Sequence, residues 1–222
     1  MESSRDAKIA GWAGILFVLL SGVIAVVSPF WPPLGATAAE VVAYYPAHRL
    51  PFLVGNYLAI AAVVPGFVEL AYLTALFRRA EGEKGWLWIL VLGTGVAAHA
   101  LGSAVLITYQ VVPFETGPGL EAVAKGLNDL AGAGFALFLL GLLAYVLAAS
   151  WATYATRALP RWYGHLGIPV AILSLVASLG AIWTPPGLAG GGLASCVAVS
   201  AFFGWCLVLA VLFLRRPVGA VS

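Results

Sequence analysis

Residues 166–214 read LGIPVAILSLVASLGAIWTPPGLAGGGLASCVAVSAFFGWCLVLAVLFL, and no charged side chain interrupts them. Two apolar runs, Leu166–Thr184 and Leu193–Leu214, flank Pro185-Pro186. Each is near the roughly 20 residues that carry a helix across a bilayer core. The stretch therefore predicts a helical hairpin that turns at the two prolines. Four further runs extend the pattern upstream: Ile9–Ser28, Phe52–Phe77, Trp86–Tyr109 and Leu130–Thr156. Across all six, Glu69 is the one charge before the helix ends.

Composition agrees. Hydrophobic residues make up 62% of the 222 and charged residues 9%, with mean hydropathy +1.01. A soluble domain carries about 25% charged residues, so lipid is the expected surrounding. The six runs take most of the chain and leave no room for a soluble domain. The fold expected is all-α: one six-helix transmembrane domain over residues 1–222.

Orientation follows from the basic residues. Arg5, Lys8, Arg78, Arg79, Lys84, Arg157, Arg161, Arg215 and Arg216 flank the runs on one side; Arg49 and Lys125 lie on the other. The positive-inside rule puts the first group, with both termini, in the cytoplasm. Ala36-Thr37-Ala38 has the look of a signal-peptide cleavage site. The preceding run is longer than the 7–15 residues of a signal core, so an uncleaved first helix is expected.

The outer loops carry helix signals. Thr37 and Glu40 have capping-box spacing, which predicts a short interfacial helix ending near Pro46. A second brief helix is expected over Leu120–Lys125, after Gly117-Pro118-Gly119. Gly93 with Ala97, Ala98 with Gly102 and Ala144 with Ala148 stand four apart, and such small pairs let helix backbones approach.

Few residues carry chemistry. Glu69 lies roughly 12 Å from the inner end of its span by helical rise. An ionised carboxylate at that depth costs several kcal/mol, so it must face the interior, be protonated or find a partner. Pro65 predicts a kink on the same face, with Gly66 and Tyr72 beside it. Glu69 is thus a candidate proton-handling or cation-binding carboxylate, or a general acid. The plainer account is a neutral acid bonded to Tyr72 or a freed carbonyl.

His99 stands near the middle of the third run. Ser103 and Gln110 share its face and Gly95 and Gly102 flank it, a polar stripe that can line a cavity. A satisfied core histidine is the blander alternative. Glu69 and His99 differ by roughly 8 Å in depth on these helix lengths, so an intramembrane polar seam joining them needs a tilt or kink. The outer rim holds Glu40, His48, Arg49, Glu115, Asn128 and Asp129. Asn128 or Asp129 is expected to cap the fourth span. His48, Arg49 and Asp129 are candidates to gather above the His99 stripe, and Asp129 is a second candidate acid.

Several classes are excluded. His48, His99 and His165 lie at three depths, unsuited to a two-histidine haem, and no HExxH, CxxC or phosphate loop is present. Cys196 and Cys206 are ten residues apart on one helix, about 15 Å, too far for a disulfide. No metal, cofactor or nucleic-acid partner is expected.

Arg5-Asp6-Ala7-Lys8-Ile9-Ala10-Gly11 and Leu159-Pro160-Arg161-Trp162-Tyr163-Gly164-His165-Leu166-Gly167 lead into the first and fifth runs. With the six-span layout, they resemble small bacterial, actinobacterial-type integral membrane proteins grouped under a domain of unknown function. The resemblance covers the whole chain and implies a helical bundle in a bacterial inner membrane, with no catalytic residues to carry over. The function expected is binding or passage of a small hydrophobic or amphipathic molecule, or a subunit role in a homo-oligomer or membrane complex. The alternative is a membrane-embedded enzyme on an isoprenoid or lipid, with Glu69 or Asp129 as general acid. Membrane-bound terpene cyclases offer an architectural analogy for it.

Overall fold

A computed structural model describes residues 4–27, 31–82, 84–183 and 192–215. Its helices are α1 (Ser4–Val27), α2 (Ala38–Ala61), α3 (Val63–Glu81), α4 (Leu87–Val111), α5 (Glu121–Thr156), α6 (Arg161–Ser178) and α7 (Leu193–Leu214). Two 3₁₀ turns, Val112–Phe114 and Leu179–Ala181, follow α4 and α6. Among the described residues there is no strand. Six helical segments, with α2 and α3 forming one, are long and apolar enough to cross a membrane. The chain has the make-up of a multi-pass membrane protein. The Pro185-Pro186 turn lies outside the described residues.

The second crossing shows how local chemistry sets the helices. Thr37 Oγ1 accepts from the Glu40 amide at 3.2 Å, and the Glu40 carboxylate accepts from the Thr37 amide at 2.7 Å. That capping box starts α2 where the spacing says it should. Pro46, however, does not end it. The helix runs on through Pro46 and Pro51 and absorbs their missing donors at one non-helical residue, His48 (φ −118°, ψ 17°). The expected separate interfacial helix is the first part of a long crossing. The second one is likewise joined to its span, because α5 starts at Glu121 and continues unbroken to Thr156.

Pro65 coincides with a one-residue interruption of the helix at Ala62, whose backbone stays helical (φ −61°, ψ −20°). It has no amide hydrogen for the Ala61 carbonyl, and α2 gives way to α3 at Ala62. Gly82 closes α3 at φ 76°, where its amide donates to the Arg78 carbonyl at 3.1 Å; this is a left-handed position that suits glycine. The Glu81 carboxylate then accepts from the amides of Leu87 and Trp88 at 3.1 and 2.9 Å, meeting the positive start of α4.

Neighbours pack around the bundle in the order α1, α2–α3, α4, α5, α6, α7 and back to α1. Small residues set the closest approaches. A Cβ on Gly141 of α5 would sit 3.3 Å from Ala98 Cα of α4, and one on Gly164 of α6 would sit 3.3 Å from the Ser150 carbonyl of α5. Of the small pairs in the sequence, Ala98 thus makes a contact, whereas Gly93 faces open space. Arg5, Lys8, Arg78, Arg79, Arg157, Arg161 and Arg215 mark one end of the bundle, called here the basic end. At the opposite end the segment from Trp31 to Thr37 packs on α4 and α5, with Trp31 against Tyr109 and Phe135 and Leu34 against Gly132. Asp129 accepts from the Gly35 amide at 3.0 Å, and Asn128 Oδ1 accepts from the Tyr45 hydroxyl at 2.8 Å. Both residues lie two turns inside α5, so neither caps it. They tie the segment before α2, and α2 itself, to α5 instead.

Candidate functional site: a cavity in the far half of the bundle

α1 and α7 meet face to face near the basic end. A Cβ on Gly11 would lie 2.6 Å from Leu214 Cγ and 2.8 Å from the Ala210 carbonyl; one on Gly14 would lie 2.9 Å from Ala210 Cβ. Beyond this crossing the helices leave a half-open hollow beside the packed residues of α2, α4 and α5. A cavity of about 560 Å³ lies between α1, α4, α5 and α7, with Ala59, Val63 and Trp31 contributing at its edges. Its size falls within the 300–1,000 Å³ of small-molecule sites.

Aromatic rings supply much of the wall: Phe17, Phe135, Phe138, Phe202 and Phe203. Polar character is confined to His99, Ser103, Ser21, Ser200, the Cys196 thiol and the Trp31 ring. Among the described residues, none that lines it is an acid, a lysine or an arginine. Few polar groups in an apolar hollow is the usual composition of a site for an uncharged small molecule.

His99 is held firmly. Its Nδ1–H donates to the Gly95 carbonyl at 2.8 Å, one turn back on α4. The ring stacks on Phe67 at 5.0 Å (25°) and packs against Phe17 at 5.7 Å. Nε2 has no hydrogen-bond partner among the described residues. It faces Gly66, where an added Cβ would sit 2.7 Å from it. With Nδ1 carrying the proton, Nε2 of the neutral ring is an acceptor.

The candidate residues named from the sequence divide into groups. His99 and Ser103 line the cavity together with Gly102, as the stripe on α4 implied. Gln110, farther along that stripe, is not part of the wall; its Oε1 accepts from Asn56 Nδ2 at 2.7 Å. Asn56 also donates to the Leu106 carbonyl at 2.6 Å, which ties α2 to α4. Tyr72 is buried against Phe213 at 4.7 Å and lies in the core.

Glu69 is buried but does not line the cavity. Its carboxyl group lies against Gly14, where an added Cβ would be 2.7 Å from Cδ, and Oε1 has no partner among the described residues. The Tyr163 hydroxyl, Trp205 Nε1 and Ser150 Oγ are buried without partners in the same sense. Glu69 and His99 share no hydrogen bond among the described residues: Nδ1 donates to Gly95, and Nε2 and Glu69 Oε1 are without partners there. Gly66 and Glu69 stand nearly a turn apart on α3, and each meets a different neighbour.

The rim residues do not assemble over the stripe. His48 is exposed, stacked on Tyr44 at 4.4 Å with its Nδ1 3.0 Å from the Tyr44 carbonyl. Arg49 lies over the Phe114 ring at 4.8 Å. Asp129 pairs with Lys125 and the Gly35 amide. None of the three lines the cavity.

The sequence reading missed Asn56 and the faces of α1 and α7. Asn56 is a solitary amide in an apolar run, a usable signal. Ser21 and Ser200 were equally visible. Which way they point depends on the α1–α7 crossing, which no local pattern encodes. Among the described residues, no group of three or more histidine, cysteine or acidic side chains is placed to hold a metal. No family model, curated protein or solved structure matches the chain.

Proposed function

We propose that the chain is an integral membrane protein that binds, or passes along, a small uncharged hydrophobic molecule in the cavity beside His99. The observation that carries this reading is the hollow itself: about 560 Å³, aromatic-walled and without a charged side chain. A concave, mostly apolar pocket of this size with a few polar groups is the usual form of a small-molecule site. Ser103 and Ser200 offer hydroxyls to a single polar group on the ligand. The charge distribution supports placing the basic end, with both termini, in the cytoplasm. The likeness of the helix-entry sequences supports a bacterial inner membrane.

Acid catalysis finds no support in this arrangement. Glu69 stands outside the wall and Asp129 is engaged with Lys125 and Gly35.

The test is saturable binding of tritiated geranylgeraniol, a neutral prenyl alcohol, to the protein in lipid nanodiscs. Val199→Trp puts an indole into the hollow and is expected to abolish saturable binding. Glu69→Gln is expected to leave it intact. Equal binding by wild type and Val199→Trp would refute the cavity as the site.

A further inference from the structure

One face of α7 meets two different surroundings along its length. Near the basic end Ala210 and Leu214 pack on Gly11 and Gly14 of α1 so closely that a methyl group does not fit. One and two turns farther, Phe203 and Leu207 continue that face but line the cavity. The same change occurs on α1, where Gly11 and Gly14 give way to Val18, Ser21 and Gly22. A Cβ added at Gly22 or at Gly204 would meet no heavy atom of the described residues within 4 Å. The two helices therefore cross at one end and keep ring contact where Phe17 meets Phe203 and Phe202, at 5.6 and 6.5 Å between centroids. They splay only past that point, where no close backbone approach is seen among the described residues.

The splay sits at the cavity's wall. On α4 and α5 the lining is inward: Ala98 is 1% exposed and Leu142 2%. On α7 the lining is mixed: Phe202 is 2% exposed, as inward as Phe17 and Ser21 of α1, whereas Leu193 is 63% exposed, Leu207 40%, and Ser200 and Gly204 are exposed as well. These positions belong to helices apolar enough to lie in hydrocarbon. An opening among them faces lipid tails and gives a charged or strongly hydrated solute no route in.

We infer that the cavity opens sideways between α1 and α7, and that its ligand is a neutral, membrane-dissolved alcohol or similar amphiphile entering from the hydrocarbon. The inference rests on the cavity being a binding site, as proposed above, and adds the route and the phase from which the ligand comes. It selects against fatty-acid anions and phospholipid headgroups, which would have to shed their hydration at an uncharged mouth.

The experiment uses the full chain in nanodiscs and a diazirine-bearing hexadecanol dissolved in the bilayer. Labelled residues and their rates of labelling are read by mass spectrometry. Wild type is expected to be labelled at Phe138, on the wall away from the mouth. Gly22→Trp and Gly204→Trp place a large ring where the backbone has room for it. Each is expected to slow labelling of Phe138 about tenfold, because the ring obstructs the mouth through which the ligand must pass. Gly93→Trp, on open space along α4 outside the wall, serves as the control for added bulk and is expected to label as wild type does. Unchanged Phe138 labelling in both mouth variants, with wild type labelled, overturns the lateral route alone. Absence of Phe138 labelling in wild type overturns the binding reading itself. Diazirine-bearing palmitate labelling Phe138 as fast as the alcohol overturns the choice of a neutral ligand.

Discussion

Replacing Gly66 with alanine puts a methyl carbon 2.7 Å from His99 Nε2 and 3.0 Å from Phe17 Cδ2. Comfortable contact needs about 3.5–4.0 Å, so the imidazole must retreat by roughly an ångström. It has little freedom to do so. Nδ1 is tethered to the Gly95 carbonyl at 2.8 Å, and Phe67 and Phe17 pack on the ring at 5.0 and 5.7 Å. Either that hydrogen bond breaks or α3 moves away from α4. Overpacking of this kind costs about 1–3 kcal/mol, offset in part by the better helix propensity of alanine, up to about 1 kcal/mol. The net loss is about 1–2 kcal/mol, and at 2–4 °C per kcal/mol for a chain of this length the melting temperature should fall by roughly 2–8 °C. The assay is thermal unfolding in detergent, followed by near-ultraviolet circular dichroism. His99→Ala on its own loses packing, but in the double variant it removes the ring that the methyl strikes. The two changes should then be less than additive by about 1 kcal/mol. A Gly66→Ala protein as stable as wild type, or strictly additive effects, would refute the contact between α3 and His99.

Three further outcomes are expected. Gly11→Ala should destabilise by about 1–2 kcal/mol after the same propensity gain is allowed for, since its methyl strikes the Ala210 carbonyl, while Gly22→Ala on the same helix should be neutral or stabilising by up to about 1 kcal/mol. Thermal unfolding of the pair reads the splay of α1 and α7 directly, and equal losses would contradict it. Thr37→Ala removes the capping box at the start of α2 and should cost about 1 kcal/mol, with faster hydrogen exchange over Ala38–Val41 as its local signature. Glu69→Leu should leave the geranylgeraniol dissociation constant within about twofold of wild type, because the carboxyl group stands outside the cavity wall; a tenfold change in equilibrium binding would put Glu69 back into the site.

The six crossings were readable because each is a long apolar run, and α7 occupies the same residues, Leu193–Leu214, as the run that predicted it. The far-end extensions of α2 and α5 were not readable in the same way. Pro46 and Pro51 look like stops, and only the tertiary setting shows that a single distorted residue, His48, carries the chain past both. The glycine-proline-glycine stretch before α5 suggested a loop around a brief helix, yet the apolar and polar residues after Leu120 join without a break.

At the site, His99 and Ser103 could be grouped from helical spacing alone, since both lie on α4. Glu69 could not be separated from them. Its distance from the cavity depends on how α3 leaves the break at Ala62 and which of its faces meets Gly14 of α1. The wall contributed by α1 and α7 was hidden for a similar reason. Neither helix has a strong polar stripe, and their shared opening arises from a crossing angle rather than from a motif.

The proposed site is a hollow that holds a ligand when the protein sits in lipid. The most direct measurement is a density map of the protein in nanodiscs made from its own membrane, with a rigid antibody fragment bound to add mass. Non-protein density bounded by Phe138, Phe203 and Ser103 and continuous with the seam beside Gly22 and Gly204 is the expected result. Phe138 and Phe203 packed directly against each other, with the space between α1 and α7 closed by their own side chains, would contradict it.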